Sequence, residues 1–478
     1  MYDISQESNM HLARRQFLKT SSMGLGATAM ASLLPQNGPA RQLNPSAAKA
    51  KRVIFLFMAG APSHVDLFDY KPDLAKRFRE PLPPSVSQGQ RVTAMTKGRE
   101  QLIAPTMYNF HQRGKNGLWM SELLPYLGKV ADDLCLIKSM NTKSINHDPG
   151  KTFICTGDEM PGKASMGAWL SYGLGSMNRD LPDFVVLNSA FWTGGTRNTQ
   201  ALYSRLWGSG YLPSKHQGVA FQTAGDPVLF LSNPKGVDAK VRRRMLDAVG
   251  EVNRKHFAEI GDQEIQTTIA QQEMAFRMQA SVPELTDVSG ESAQIKEMYG
   301  PEVDKPGSFA RNCLLARRMV ERGVRFIQVF HRGWDHHNIL PKQLPGQCYD
   351  VDQPSAALLR DLKQRGILED TMVVFAGEFG RTVFCQGKLE RTDYGRDHHP
   401  RCFTAWMAGG GIQGGMSYGE TDDFSYNVAK DPVAVRDLHA TMLHQLGIDH
   451  DKLNFPFQGL NQRLTGVEEA NVVKGILS

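Results

Sequence analysis

The chain has no run of about 18 consecutive apolar residues, so no segment reads as a stable membrane-spanning helix. Its 6 cysteines include no Cys-x-x-Cys pair, which argues against a zinc ribbon or a dithiol redox motif. Charge of one sign is also scarce: the net +6 is small for 478 residues, and part of it falls in the first 52. Nothing in that balance indicates a nucleic-acid surface. No internal repeat and no low-complexity segment is visible, which removes solenoids and disordered tails. What remains is ordinary for a soluble globular protein, with 41% hydrophobic and 22% charged residues. That length suits one large α/β domain with insertions, or two to three smaller domains.

The N-terminus is distinctive. Arg14-Arg15-Gln16-Phe17-Leu18-Lys19 precedes a mildly apolar stretch, Thr20–Leu34, rich in Gly, Ala and Ser. A twin arginine followed by such a stretch resembles a twin-arginine export signal. Ala48-Lys49-Ala50 offers a small-x-small cleavage site. Residues 1–50 are therefore expected to be signal and linker, residues 51–478 the folded domain, and the location periplasmic. The twin-arginine translocase would be the partner during export. Export would permit disulfides, and Cys348, Cys385 and Cys402 lie in the loop-rich final part. Cys155 and Cys313 sit in apolar helical patterns and read as buried thiols.

Arg52–Met58 is a continuous apolar run, as expected of a strand buried on both faces of a parallel sheet. Leu134–Lys138, Phe184–Leu187, Val324–Phe330, Met372–Ala376 and Phe403–Met407 are further strands by the same reading. Helical spacing covers Ala310–Arg322, Asp352–Arg365 and Val435–Leu446, each closed by a glycine. Alternating strand and helix predicts a three-layer α/β fold with a mostly parallel central sheet. Lys240–Met278 is long, charged and helical, so residues 190–300 read as a helical insertion or cap.

Chemistry concentrates in the last third, where eight of the 14 histidines lie from His331 onward. Asp335-His336-His337 follows one strand, Asp397-His398-His399 precedes another, and Glu378 closes a third. Carboxylates and imidazoles at strand C-termini can assemble a divalent metal site. Two adjacent imidazoles cannot face one point from a regular strand, so each pair should supply a single ligand. Asp66, in the loop after the first strand, adds a further oxygen donor. Asn146-His147-Asp148-Pro149 places His147 at a helix N-terminus, where an anion is favoured, with Lys151 one turn on. Arg381 could grip a phosphate or sulfate with its planar fork. Asp437 reads as a helix cap.

These segments together identify the chain as resembling the family called domain of unknown function 1501. The resemblance runs from the twin-arginine segment through Phe57–Pro72, His147–Gly157, Ser165–Trp169, Ala316–Phe326, Gly377–Arg381, Arg396–Pro400 and Gly419–Asp423 to Asp437–Thr441. That family is similar to the alkaline phosphatase and sulfatase superfamily, which implies that fold and a metal-dependent hydrolase. Gly377-Glu378-Phe379-Gly380 resembles the sulfatase Ser-Asp-His-Gly stretch, and His147 falls at the sulfatase nucleophile, with Lys151 at its arginine. Asp335, His337 and His398 or His399 resemble the Asp, His and His of one metal site. His147 in place of Cys, Ser or Thr excludes a formylglycine sulfatase, and Phe379 cannot bind metal.

The expectation is an exported hydrolase-like protein acting on a phosphate or sulfate ester. A zinc, manganese or calcium ion would be held by some of Asp66, Asp335, His337, Glu378, His398 and His399. Lys151 and Arg381 would stabilise the oxyanion, and His147 would be base or nucleophile. The alternative is a non-catalytic sulfatase-like module that binds sulfated polysaccharide or a partner protein.

Overall fold

The computed structural model describes residues 48–190, 199–222, 227–228 and 231–478. The twin-arginine segment lies outside the described residues. Strand β1, Arg52–Ala59, is buried along almost its whole length, and its alternate side chains feed two separate cores. Ile54, Leu56 and Met58 join one core, while Val53, Phe55, Phe57 and Ala59 join the other. A strand covered on both faces needs apolar residues at every position, which explains the unbroken run.

The other strands of the main sheet are β2 (Cys135–Asn141), β3 (Phe184–Ser189), β4 (Val219–Phe221), β5 (Phe326–Arg332) and β6 (Thr371–Ala376). An antiparallel ribbon, β7 (Gly380–Glu390) with β8 (Asp393–His399), stands apart from it. Then come β9 (Phe403–Ala408), β10 (Met416–Tyr418) and β11 (Val433–Ala434). The nine-stranded sheet runs β10-β2-β9-β6-β1-β5-β3-β4, with β11 paired to β2. Only β9 runs antiparallel to its neighbours. The sheet is therefore mixed but mostly parallel.

Helices cover both faces. Helices α1 (His147–Thr156) and α2 (Met166–Leu174) pack on one, with α7 (Val435–Gln445). Two long helices, α3 (Ala239–Ile260) and α4 (Gln263–Thr286), pair within the stretch read as an insertion. Gly261, at φ +76°, ends the first, and Asp238 and Asp262 cap the two N-termini. Helices α5 (Phe309–Glu321) and α6 (Leu340–Gln364) contribute to the core on the sheet's other face. The fold is the expected three-layer α/β arrangement. Among the described residues, no helix is long and apolar enough to cross a membrane. All six cysteines are free thiols, five of them buried. Cys348 lies inside α6 and Cys385 on β7.

Strands β6, β1 and β5 are neighbours and parallel, so their C-terminal loops emerge at one edge. Those loops begin at Gly377, Gly60 and Gly333. This shared edge positions the site.

Candidate metal centre

Gly60 lets two of these loops touch. At φ +111°, a Cβ there would lie 2.7 Å from the Asp335 amide nitrogen and 2.8 Å from that of Trp334. Only glycine fits such an approach. The Gly60 amide in turn donates to Glu378 Oε1 at 3.0 Å. Glu378 is fully buried, and its Oε1 accepts from His147 Nδ1 at 2.6 Å. Pro149 in the first turn of α1 and extended Asn146 before it start the helix so that His147 opens it, facing the loops.

Four side chains meet at the centre. Ligand-competent atoms of His147, Asp335, His337 and His398 all lie within 4.8 Å of one another. Asp335 Oδ1 is the focus, 3.0 Å from His147 Nε2, 2.8 Å from His337 Nε2 and 3.5 Å from His398 Nε2. Each ring is fixed from behind through Nδ1. His147 donates to Glu378, His337 to Gln386 Oε1 at 2.6 Å, and His398 to the Ile145 carbonyl at 2.8 Å. All three of those partners accept. Each ring therefore carries a proton on Nδ1, and the three Nε2 atoms point toward one carboxylate.

That arrangement is repulsive unless something positive lies between. Among the described residues, neither His147 Nε2 nor His398 Nε2 has a hydrogen-bond partner, although both are buried. Burial, with Arg381 and the other imidazoles nearby, pushes His398 down to about 4, so its ring is neutral near pH 7. Burial also lowers His147, but Asp335 and Glu378 outweigh it and hold the ring above its usual value. Burial raises Asp335, yet Arg381 and the three imidazoles keep it well below the usual carboxylate range. An anionic oxygen facing three imidazole nitrogens, each anchored through its other nitrogen, is the donor set of a divalent metal. The residues present fit such an ion.

A family model described as "Protein of unknown function (DUF1501)" matches residues 50–477. The chain belongs to this family. No curated protein matches it. Among solved structures, the chain is similar to the PsFucS1 sulfatase from Pseudoalteromonas sp. at 12% identity and a TM-score of 0.33. That match covers 85% of this chain and 69% of the sulfatase. The alkaline phosphatase of the Antarctic bacterium TAB5 is 9% identical over 77% of this chain and 95% of its own, with a TM-score of 0.28. The lipoteichoic acid synthase LtaP from Listeria monocytogenes is 9% identical over 89% and 76%, with a TM-score of 0.34.

Of the residues singled out in the sequence, this family member brings six together. Asp335, His337, His398 and His147 form the centre, with Glu378 and Arg381 behind them. His147 stands among the ligand-competent groups rather than apart as base or nucleophile, and Glu378 lies behind it. Arg381 is fully buried and donates to Asp335 Oδ1 at 2.7 Å and to the carbonyls of Ala61, Arg396 and Gly60. Its ion pair is with Asp335. Lys151, one turn along α1, bonds the Ala201 carbonyl at 2.5 Å, and burial lowers its pKa.

Two expected ligands point elsewhere. Asp66 pairs with Arg396, Oδ2 to Nε at 2.7 Å and Oδ1 to Nη2 at 3.1 Å, and also accepts from Tyr394 and Ser63. Every lone pair that a metal would use is taken. His399 bonds the Tyr426 carbonyl at 2.5 Å and stacks on that ring, because adjacent strand residues face opposite sides. Asp437 caps α7 by accepting from the Ala434 amide. Gln386, Gln200 and the Ile145 carbonyl carried no signal in the sequence, since an amide or carbonyl becomes a partner only through folding.

Proposed function

We propose that the protein is an exported, metal-dependent hydrolase acting on a phosphate or sulfate ester. The observation that carries this reading is the convergence of three imidazole Nε2 atoms on Asp335 Oδ1. Three nitrogens and one oxygen suit zinc or manganese better than calcium, which takes six to eight oxygens. Such an ion, when bound, supplies a bound water of lowered pKa and polarises an ester oxygen.

The chain's own residues hold and tune that centre. Glu378 fixes the His147 ring, Gln386 the His337 ring and the Ile145 carbonyl the His398 ring. With Nδ1 on Glu378 and Nε2 turned to the centre, His147 has no free nitrogen to attack an ester, so the nucleophile is water. Lys151 places a cation one turn from His147, where it favours the anionic ester. Arg381 steadies Asp335 as an anion.

Elemental analysis of protein produced with zinc and manganese present tests the proposal, followed by turnover of aryl phosphates and aryl sulfates. One ion per chain, lost in His337→Ala, and an activity reduced in Glu378→Gln are expected. Folded wild-type protein that carries no ion ends the proposal.

Export through the twin-arginine pathway belongs to the same reading and rests on Arg14-Arg15-Gln16-Phe17-Leu18-Lys19. Changing both arginines to lysine should leave the protein in the cytoplasm; unchanged periplasmic recovery speaks against it.

One observation favours a second reading. By the sequence resemblance His147 stands where a sulfatase has its nucleophile, and its ring is committed to the cluster. A module that binds sulfated polysaccharide or a partner protein needs no nucleophile. Binding to sulfated glycans without turnover of any ester would select that reading.

A further inference from the structure

Asp335 has two oxygens, and they are treated differently. Oδ1 receives Arg381 and faces the three imidazoles. Oδ2 accepts from Gln200 Nε2 at 3.0 Å. A carboxylate can bind a divalent ion through one oxygen or both, and two-oxygen binding takes up a second coordination position. Oδ1 is the oxygen turned to the three imidazoles, and the Gln200 amide engages Oδ2.

Gln200 does not reach Asp335 by chance of rotamer alone, because its backbone neighbours are tied to α1 separately. Lys151 Nζ donates to the Ala201 carbonyl at 2.5 Å. Arg205 Nη2 pairs with Asp148 Oδ2 at 2.5 Å, and Arg205 lies over the Tyr203 ring at 4.4 Å. Asp148 and Lys151 follow His147 on the same helix. The segment from Gln200 to Arg205 is thus a strap pinned to the helix that carries His147, and its first residue reaches the carboxylate that the imidazoles surround.

We infer that Gln200 is a positioning residue that restricts Asp335 to one-oxygen coordination and so keeps a position at the metal open for the anionic ester. This inference rests on the metal-dependent reading above. In a five-coordinate site, four protein ligands with one oxygen from Asp335 would leave one position for an exogenous ligand, whereas a two-oxygen Asp335 would fill it. Catalytic sites keep such a position and structural sites do not. Gln200 separates the two cases here.

The test uses the full protein loaded with cobalt(II), whose visible spectrum reports coordination number, titrated with inorganic phosphate. Wild type should take up one cobalt per chain and change spectrum as phosphate binds. Gln200→Ala should keep one cobalt per chain, show a spectrum altered before any addition, and bind phosphate at least tenfold more weakly. Gln200→Glu keeps the side-chain shape but removes the donor, and should behave as Gln200→Ala does. Gln200→Asn, if it recovers phosphate affinity in part, supports the same conclusion through the restored donor. Variants with wild-type spectra and wild-type phosphate affinity overturn the inference. A wild-type cobalt protein blind to phosphate also overturns it, because no open position would exist. A wild type that takes up no cobalt instead removes the metal-dependent reading itself.

Discussion

Three histidines with one task are held by three different acceptors: a carboxylate, a side-chain amide and a backbone carbonyl. The differences set how much each ring can give. Asp335 and Glu378 together outweigh burial and hold His147 above its usual pKa, whereas burial takes His398 down to about 4. The His337–Gln386 pair is the simplest place to measure such support, because its acceptor is an uncharged amide and its ring is the least buried of the three. Gln386→Leu should weaken metal binding about 10- to 100-fold, the range typical for outer-shell partners of a histidine ligand. Competition against a chromophoric chelator checks this, with the unfolding midpoint of the metal-free protein as control. Equal affinities would mean that Gln386 does not orient the ring. Asp66 shows the opposite case at this scale. Its carboxylate has the right chemistry and the right loop, but Arg396 has already taken both oxygens.

At the scale of elements, the parallel strands and their helices were legible because burial on both faces leaves an unbroken apolar run, as in Arg52–Ala59. The capped helices were legible for the same local reason. The ribbon Gly380–His399 was not, since its buried positions mix Arg381, Thr382, Arg396, Asp397 and His398 with Val383 and Phe384, which leaves no unbroken apolar run. It carries His398 to the centre and turns His399 away, a choice set by strand register. The long-range partners of the site, Gln200 and Gln386, left no periodic trace at all. Helix α6 carries a further buried group that periodicity hides. Asp352 lies within it and accepts from the amides of Tyr126 and Leu127, each at 2.8 Å, near the start of a short helical segment. Burial outweighs those bonds and raises its pKa to about 6. The folded state therefore holds this proton at a pH where the unfolded chain, near 3.8, has lost it. The contribution is fully present below the unfolded value and is lost as pH rises through about 6. Asp352→Asn should flatten the dependence of unfolding free energy on pH between about 4 and 6, read by urea denaturation. An unchanged slope in that window would show that Asp352 is not the group that titrates.

For the whole molecule, the centre draws on three distant stretches of chain: the start of α1, the loop after β5 and the end of β8. An ion bound there ties the helix on one face of the sheet to the ribbon beyond its edge, so binding to the native state alone should raise global stability. At a free ion concentration of 1,000 times the dissociation constant, that linkage is worth about 4 kcal/mol. For a domain of this size the corresponding rise in melting temperature is about 1 °C for each kcal/mol, less than for a small domain. Scanning calorimetry of the zinc- or manganese-loaded protein should show this rise, and a chelator should reverse it. A His337→Ala/His398→Ala double variant should melt near the metal-free wild type and show no response to either ion. The control matters because divalent ions also bind surface carboxylates weakly, and such binding would survive the double substitution. Metal-dependent stabilisation that persists in the variant would place the ion outside Asp335 and its three imidazoles, whereas its loss together with the chelator response would locate the ion among them.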